Sequence, residues 1–355
     1  MMTVQLQPSP ERQTFVRSLL EKHRLDIVLV YGTRKESSFV QWLTAAKPRH
    51  FHYFYLTTDN QGFLEIDYCV PTLRQQTQES IQPVIEDLIE RDLALFLKSY
   101  KRIGILGPVP ITHLTQVLGK KEFVMLNEEV YPEMVGRTPE ELTRIRASAR
   151  VVTDAFEQVR GGIIAGTTER EIGQHLRVML LEHADDLAFP ITVMSGNRLH
   201  ESTAGPPTGR AFVEGDMVCI DAGAILNGFA SDCTRMYQVG DSPNWRSYQD
   251  LCDAHHAVIK RLELGMPIGK IPPLYAEELS ARGLPADTLE VGDLGHAIAY
   301  TVHEYPFIYR EEYESYTLVE GMVFTLEPEI VVSSMRLRVE DMIVMKNGRP
   351  RILTI

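Results

Sequence analysis

The apolar positions of this chain follow two alternating rhythms. Ser9-Pro10-Glu11 is a helix start, a capping serine followed by proline at the first helical position, and Phe15, Leu19 and Leu20 then recur at helical spacing. LDIVLVY, residues 25–31, is a continuous apolar run of strand length, as is RIGILG, residues 102–107, which ends in a turn glycine. The aromatic segment FHYFYLTT, residues 51–58, reads as a core strand, and residues 79–98 as a further helix. Strands alternating with helices predict a small α/β domain over residues 1–130. NEEVYPEMVGR, residues 127–137, has weak periodicity and reads as a linker.

From Thr138 onward the signals sharpen. Thr138-Pro139-Glu140-Glu141 combines an N-cap, a proline at the first helical position and a capping-box glutamate, which predicts a long helix to about Arg160, stopped by Gly161-Gly162. Thr168 and Glu171 repeat the capping box ahead of Ile172, Leu176, Met179 and Leu180 on one face. A second helix pair is expected around residues 245–264 and 273–282. Strand candidates lie between and after these helices: ITVMS, MVCIDAG, MVFTLEP and LRVEDMIVM, the last followed by a turn at Asn347-Gly348 and RILTI. Helix pairs with hairpins thus occur twice over in residues 138–355, which read as a second domain.

Composition changes this picture little. At 355 residues the chain exceeds the usual size of a single core, and 44% hydrophobic content is ample for two. A net charge of −12 without a basic run opposes nucleic-acid and anionic-membrane partners. The opening MMTVQLQPSPERQ has no basic start leading into an apolar stretch, and no run of 18 apolar residues occurs, so a cytoplasmic protein without a membrane span is expected. Cys69, Cys219, Cys233 and Cys252 have no CxxC spacing and are too sparse for a disulfide scaffold, which fits reduced, buried thiols.

Candidate chemistry lies in the last third of the chain. Asp221 and Asp232, eleven apart, share the phrase IDAGAILNGFASDCTR. His296 follows a glycine in LGHAIAYTVHE, and Glu327 and Glu340, thirteen apart, sit in FTLEPEI and RVEDMIV. Two divalent cations roughly 3.5–4 Å apart repel each other, so a cage for them needs several carboxylates, at least two of them bridging. One imidazole among hard oxygen ligands suits manganese, cobalt, iron or zinc, and argues against calcium or magnesium. Neighbouring strands lie about 4.8 Å apart, so carboxylates carried on them can converge on one pocket. An unpaired carboxylate in such a core is costly, and a metal ion would neutralise it.

On these five residues and their phrases the chain resembles the pita-bread metallopeptidase family (M24). That family comprises methionine aminopeptidases, Xaa-Pro aminopeptidases and prolidases, with creatinase and ectoine hydrolase as non-peptidase relatives. The resemblance runs from about Thr138 to Ile355, and residues 10 to about 130 are more weakly similar to the N-terminal domain of prolidases and creatinase. It implies an α/β N-terminal domain and an α+β pita-bread catalytic domain. It also implies two divalent ions, manganese foremost with Co2+, Fe2+ or Zn2+ as alternatives. By the same resemblance Asp221 chelates one ion, Asp232 and Glu340 bridge, and His296 and Glu327 hold the other. His303, in VHEYP, matches a histidine that contacts the scissile carbonyl or donates a proton, and Arg338 an arginine that orients a ligand. A homodimer, with the N-terminal domain packed beside the active site, is implied as well.

Four positions depart from the family pattern. Ala204 stands where many peptidases have an oxyanion-stabilising histidine, with His200 nearby as the candidate replacement. Gly292 and Phe307 stand where relatives have histidine and arginine, and Glu329 replaces the glycine of EPGI. Three functions are therefore open: a dinuclear aminopeptidase or dipeptidase acting on short peptides including Xaa-Pro, a hydrolase or lyase of a small non-peptide amide or modified amino acid, and a non-catalytic binding protein on the same fold.

Overall fold

The apolar run at residues 27–32 lies inside a six-stranded sheet. In the computed structural model, which describes residues 9–32, 38–45, 51–59, 61–66, 73–74, 96–107, 121–290, 294–308 and 315–355, the chain divides into two units, Met1–Met134 and Val135–Ile355. In the first, α1 (Pro10–Lys22) is capped by Ser9, whose side chain accepts from the Arg12 amide at 3.3 Å. Strand β1 (Ile27–Gly32) pairs antiparallel with β2 (Phe51–Leu56), which continues through β3 (Gln61–Ile66) to β4 (Leu73–Arg74). On its other edge β1 pairs parallel with β5 (Arg102–Leu106), and β5 with β6 (Glu122–Met125). All six residues of β1 are buried, as a continuous apolar run requires. The helix expected over residues 79–98 falls almost wholly outside the described residues.

The expected linker is instead largely helical. After α2 (Ser38–Thr44), α3 covers Asn127–Met134 with Pro132 inside it. Glu128 and Glu129 occupy its first turn, where the helix dipole favours negative charge, and Glu129 is held by Lys22 at 2.5 Å and His23 at 2.6 Å. Val130, Tyr131 and Met134 are buried. Pro132 hides the pattern in sequence, yet it removes only one backbone donor from a helix held by packing.

The second unit contains two helix pairs. Helices α4 (Pro139–Arg160) and α5 (Glu169–His183) both begin with complete capping boxes, at Thr138/Glu141 and Thr168/Glu171. They are followed by β7 (Asp186–Leu187), β8 (Thr192–Ser195), β9 (Met217–Ala222), β10 (Ala224–Leu226), β11 (Phe229–Ala230) and β12 (Cys233–Gln238). Strands β8, β9 and β12 form one antiparallel sheet with β9 central. Helices α6 (Trp245–Arg261) and α7 (Ile271–Ala281) precede β13 (His296–Ala297), β14 (Glu304–Phe307), β15 (Val323–Leu326), β16 (Glu329–Val332), β17 (Met335–Arg338), β18 (Asp341–Lys346) and β19 (Arg349–Ile352). Their main sheet has the order β14-β13-β15-β18-β19, and among the described residues β16 pairs only with β17. The β18–β19 turn is Asn347-Gly348, both at positive φ (53° and 74°), the backbone that a two-residue hairpin demands. No described helix is long and apolar enough to cross a membrane.

Strand parity divides the unit into two cores. On β9, Val218, Ile220 and Ala222 join α4 and α5 in one core, while Met217 and Cys219 join α6 and α7 in the other. The run LRVEDMIVM, a single strand candidate in sequence, is two strands in different sheets, β17 and β18, broken at Val339-Glu340. At the break the Glu340 amide donates to the Thr234 carbonyl at 3.2 Å, which links this segment to the sheet of β12.

Gly295 sets the approach of β13 to β15, because a Cβ there would collide with the Thr325 backbone oxygen. Replacing Gly295 with alanine must push His296 away from β15. Gly295→Ala should therefore cost about 1–3 kcal/mol of stability, read as a lowered thermal midpoint. A midpoint equal to wild type would contradict the close approach.

Candidate metal centre

Parity selects which side chains meet. Asp221 shares the face of Met217 and Cys219 on β9, and its cross-strand neighbours are Thr192 and Thr234. Asp232 lies two residues before Thr234. On the second sheet Leu326 pairs with Asp341, whose carboxylate reaches His255 of α6, so the alternate residues Thr325 and Met342 lie on the other face. Glu327 and Glu340 continue that alternate series. His296 precedes Ala297, which pairs with Phe324 of the helix-facing series. The structure thus places both aspartates at one sheet and His296, Glu327 and Glu340 at the other.

The five side chains converge. One ligand atom each from Asp232, His296 and Glu340 lie within 4.8 Å of one another, and all three residues are buried. His296 Nε2 is 3.8 Å from Asp232 Oδ2 and 3.5 Å from Glu327 Oε1. Asp221 is close enough that its charge acts on both Asp232 and Glu340. Arg338, at the end of β17, donates to Glu327 Oε2 and lies 3.9 Å from Glu340 Oε2.

The electrostatics are those of a cation site. Burial raises the carboxyls of Asp221, Asp232 and Glu340, and Asp232 is raised further by the charges of Glu340 and Asp221. Glu340 is pushed up to about 7. Burial, reinforced by His303, lowers His296 to about 3, so its imidazole is neutral and free to ligate. Asp221 Oδ1, Asp232 Oδ1 and Glu340 Oε1 are buried without a hydrogen-bond partner. Three orphaned carboxylate oxygens beside a neutral imidazole cost several kcal/mol without a cation and fit the donor preferences of a divalent transition metal.

Comparison with known proteins agrees. The sequence profile of metallopeptidase family M24 matches residues 143–347, more than half of the chain. The chain belongs to metallopeptidase family M24. A Xaa-Pro dipeptidase of Pyrococcus furiosus is 27% identical over 324 residues, covering 86% of this chain and 91% of that protein. The prolidase structure from Pyrococcus horikoshii superposes with a TM-score of 0.81 at 22% identity, covering 97% of this chain and 98% of the other. An X-Pro aminopeptidase structure from Thermotoga maritima gives 0.78 at 22%, with 97% of each chain covered. These structural likenesses establish the fold, a two-domain pita-bread architecture, and M24 membership makes the protein a metal-dependent hydrolase.

The remaining sequence candidates are placed as follows in this M24 protein. The rings of His303 and His296 are 4.5 Å apart at 60°, with His303 exposed. His200 ends a short 3-10 turn, Gly196–His200; it is exposed and makes no described hydrogen bond or ion pair with the cluster. Ala204 is exposed on the same loop, and Phe307 pairs with His296 across β13 and β14. Gly292 lies outside the described residues. Cys219 and Cys233 are fully buried, and burial pushes both thiols up, so they remain protonated and do not compete as ligands.

Two supporting residues escaped sequence reasoning. Thr234 Oγ1 donates to Glu340 Oε2 at 2.8 Å. Thr325 Oγ1 lies 3.4 Å from Glu327 Oε1 and accepts from the His296 amide at 3.2 Å. Each stands two residues from a carboxylate, Thr234 after Asp232 and Thr325 before Glu327, so period-two parity was the signal that could have found them.

A pH dependence follows. Glu340 is raised in the folded, metal-free protein, so its contribution to stability is present below its unfolded value, near 4.5, and is lost as pH rises through about 7. Bound metal removes that loss by neutralising the carboxylate. The gap in thermal midpoint between manganese-loaded and metal-free protein should widen by several degrees from pH 5.5 to 8.5. A gap independent of pH would show that no raised carboxyl binds the ion.

Proposed function

We propose that this M24 hydrolase is a dinuclear aminopeptidase or dipeptidase that cleaves the N-terminal peptide bond of short peptides, Xaa-Pro dipeptides first among them. The observation that carries the proposal is the set of three buried, unpartnered carboxylate oxygens meeting a neutral imidazole. Charge supports two ions. Asp221, Asp232, Glu327 and Glu340 bring four negative charges and Arg338 one positive, leaving three. One divalent ion leaves a net negative pocket and two do not. Manganese fits one imidazole among carboxylates, as do Co2+, Fe2+ and Zn2+.

In this reading Asp221 would hold one ion, His296 and Glu327 the second, and Asp232 and Glu340 would serve both. When bound, such ions supply an activated water at neutral pH and polarise the scissile carbonyl. The chain's own residues do the rest. Glu327 is restrained on Oε2 by Arg338 and lies beside Thr325 on Oε1, and it passes the water's proton to the leaving nitrogen. His303, its ring tilted against that of His296 and exposed, stabilises the charge that develops on the carbonyl oxygen. Thr234 fixes the rotamer of Glu340. The curated relatives named Xaa-Pro dipeptidase, matched over most of this chain, support the substrate class.

A second reading is favoured by Ala204 and Phe307. With an alanine where family peptidases have an oxyanion histidine, and an aromatic ring beside His296 instead of arginine, the same metal set suits a small non-peptide amide or modified amino acid.

Manganese-loaded protein incubated with Xaa-Pro dipeptides, Xaa-Pro-Xaa tripeptides and non-proline peptides should release a free N-terminal residue by mass spectrometry, with Glu340→Ala as the inactive control. No cleavage of any peptide with two ions bound would discard the peptidase reading in favour of the second.

The two exposed histidines should separate. His303→Ala is expected to lower kcat about 100- to 1,000-fold, the usual loss for one oxyanion donor, while His200→Ala stays within about threefold. The reverse ranking would transfer the oxyanion role to His200.

A further inference from the structure

Glu340 occupies an exposed position in the chain's topology, though not in space. It lies between β17 and β18, which belong to different sheets, and it is outside both named strands. Its amide donates to Thr234 O at 3.2 Å, and its carbonyl accepts from the Arg235 guanidinium at 2.5 Å. A residue at such a break lacks the regular ladder that would fix its backbone, so its side-chain direction depends on these few bonds.

We propose that Arg235 is a positioning residue for the metal centre, holding Glu340 by its backbone while Thr234 holds it by its carboxylate. The guanidinium gathers four acceptors around this break. Besides Glu340 O, it donates to Thr234 O at 2.9 Å, to Asp341 Oδ1 at 2.5 Å and to Thr354 O at 2.7 Å. A planar fork can meet four oxygens spread over three chain segments, and a lysine cannot.

The hold extends outward through Asp341. Its Oδ1 also accepts from Thr354 Oγ1 at 2.6 Å, and its Oδ2 lies 3.2 Å from His255 Nε2. His255 Nδ1 in turn meets the Tyr275 hydroxyl at 2.7 Å. Asp341, His255, Tyr275 and Thr354 are all at most 1% exposed. Asp341 therefore anchors the fork to α6 and α7, and a small displacement of Arg235 would be passed to the neighbouring residue, Glu340. This inference rests on Glu340 being a metal ligand.

The test measures manganese affinity by competition with a chelator, the thermal midpoint of the metal-free protein, and kcat and KM at saturating manganese. The variants are Arg235→Lys, which keeps the charge and loses the fork, and Thr354→Val, a milder change that removes one partner of Asp341. Leu176→Ala, in the core of α4 and α5, serves as a control for lost stability alone. Arg235→Lys should bind manganese about 10- to 100-fold more weakly, as loss of an outer contact to a ligand does, with kcat lowered and KM within about twofold. Thr354→Val should change affinity in the same direction but less, and it decides the matter if Arg235→Lys does not fold. Wild-type affinity in both variants, with only the midpoint lowered as in Leu176→Ala, would make the network purely structural and overturn the proposal. Glu340→Ala in the same titration separates the two failures: unchanged affinity there would remove Glu340 from the ligand set itself.

Discussion

Four carboxylates buried together against one guanidinium impose the constraint on which the catalytic unit depends. Asp221, Asp232, Glu327 and Glu340 are each at most 8% exposed, and among the described cations only Arg338 donates to one of their side-chain carboxylates. Burial in a low-dielectric interior raises the carboxyls of Asp221, Asp232 and Glu340, and the neighbouring negative charges raise Asp232 and Glu340 further. A core of this kind is unfavourable on its own and becomes favourable with cations bound. The surrounding fold must therefore hold the carboxylates in place against their repulsion. Rigid strands and threonine hydroxyls do so: Thr234 satisfies one oxygen of Glu340 and leaves the other free.

How the carboxylates reach one point is a matter of parity. β9 separates two cores, and its last residue on one face is an aspartate where an apolar side chain would continue the pattern. The second sheet repeats the arrangement, with apolar residues and Asp341 turned to α6 and α7 and the ligand candidates on the reverse face. Neighbouring residues Glu340 and Asp341 consequently have opposite fates. One is an uncompensated carboxylate in the pocket. The other is a paired carboxylate held by Arg235, His255 and Thr354, and the charge of Arg235 together with His255 keeps it well below the usual carboxylate range despite burial.

Much of this was legible in sequence because it rests on local rules. Capping boxes at Thr138 and Thr168, the Asn347-Gly348 turn and the apolar runs of β1, β5 and β9 all act within a few residues, and they read correctly. The five ligand candidates were legible as types and phrases, and the structure brings them together. Three things were not legible, each for a stated reason. α3 has its proline in the interior and draws its stability from contacts more than 100 residues away, such as Glu129 with Lys22 and His23. The break at Val339-Glu340 follows an unbroken strand-like run, and only the competing amide bond to Thr234 reveals it. Thr234 and Thr325 look like ordinary strand residues until the opposite strand supplies the carboxylate.

The rim of the carboxylate cluster carries a further negative charge without disturbing the cluster itself. Glu329 pairs across β16 and β17 with Arg338, the guanidinium that restrains Glu327. A free carboxylate opposite Arg338 would compete for it. Arg336 prevents this by binding Glu329 Oε1 at 2.7 Å, and Thr203 donates to Oε2, so both oxygens are engaged elsewhere. The added negative charge thus arrives with its own cation and leaves Arg338 to Glu327. The same bond ties the loop bearing His200 and Ala204 to β16. At its other end that loop is fastened by the fully buried Glu169, which accepts from Arg198, from Ser195 Oγ at 2.7 Å and from the Thr208 amide at 2.9 Å. The carboxylate cluster is held by strands and threonines, whereas the loop beside it is held by contacts that include Glu329. A change at Glu329, Arg336 or Thr203 would therefore alter the rim and the loop of His200 while leaving the strands that carry the candidate ligands in place.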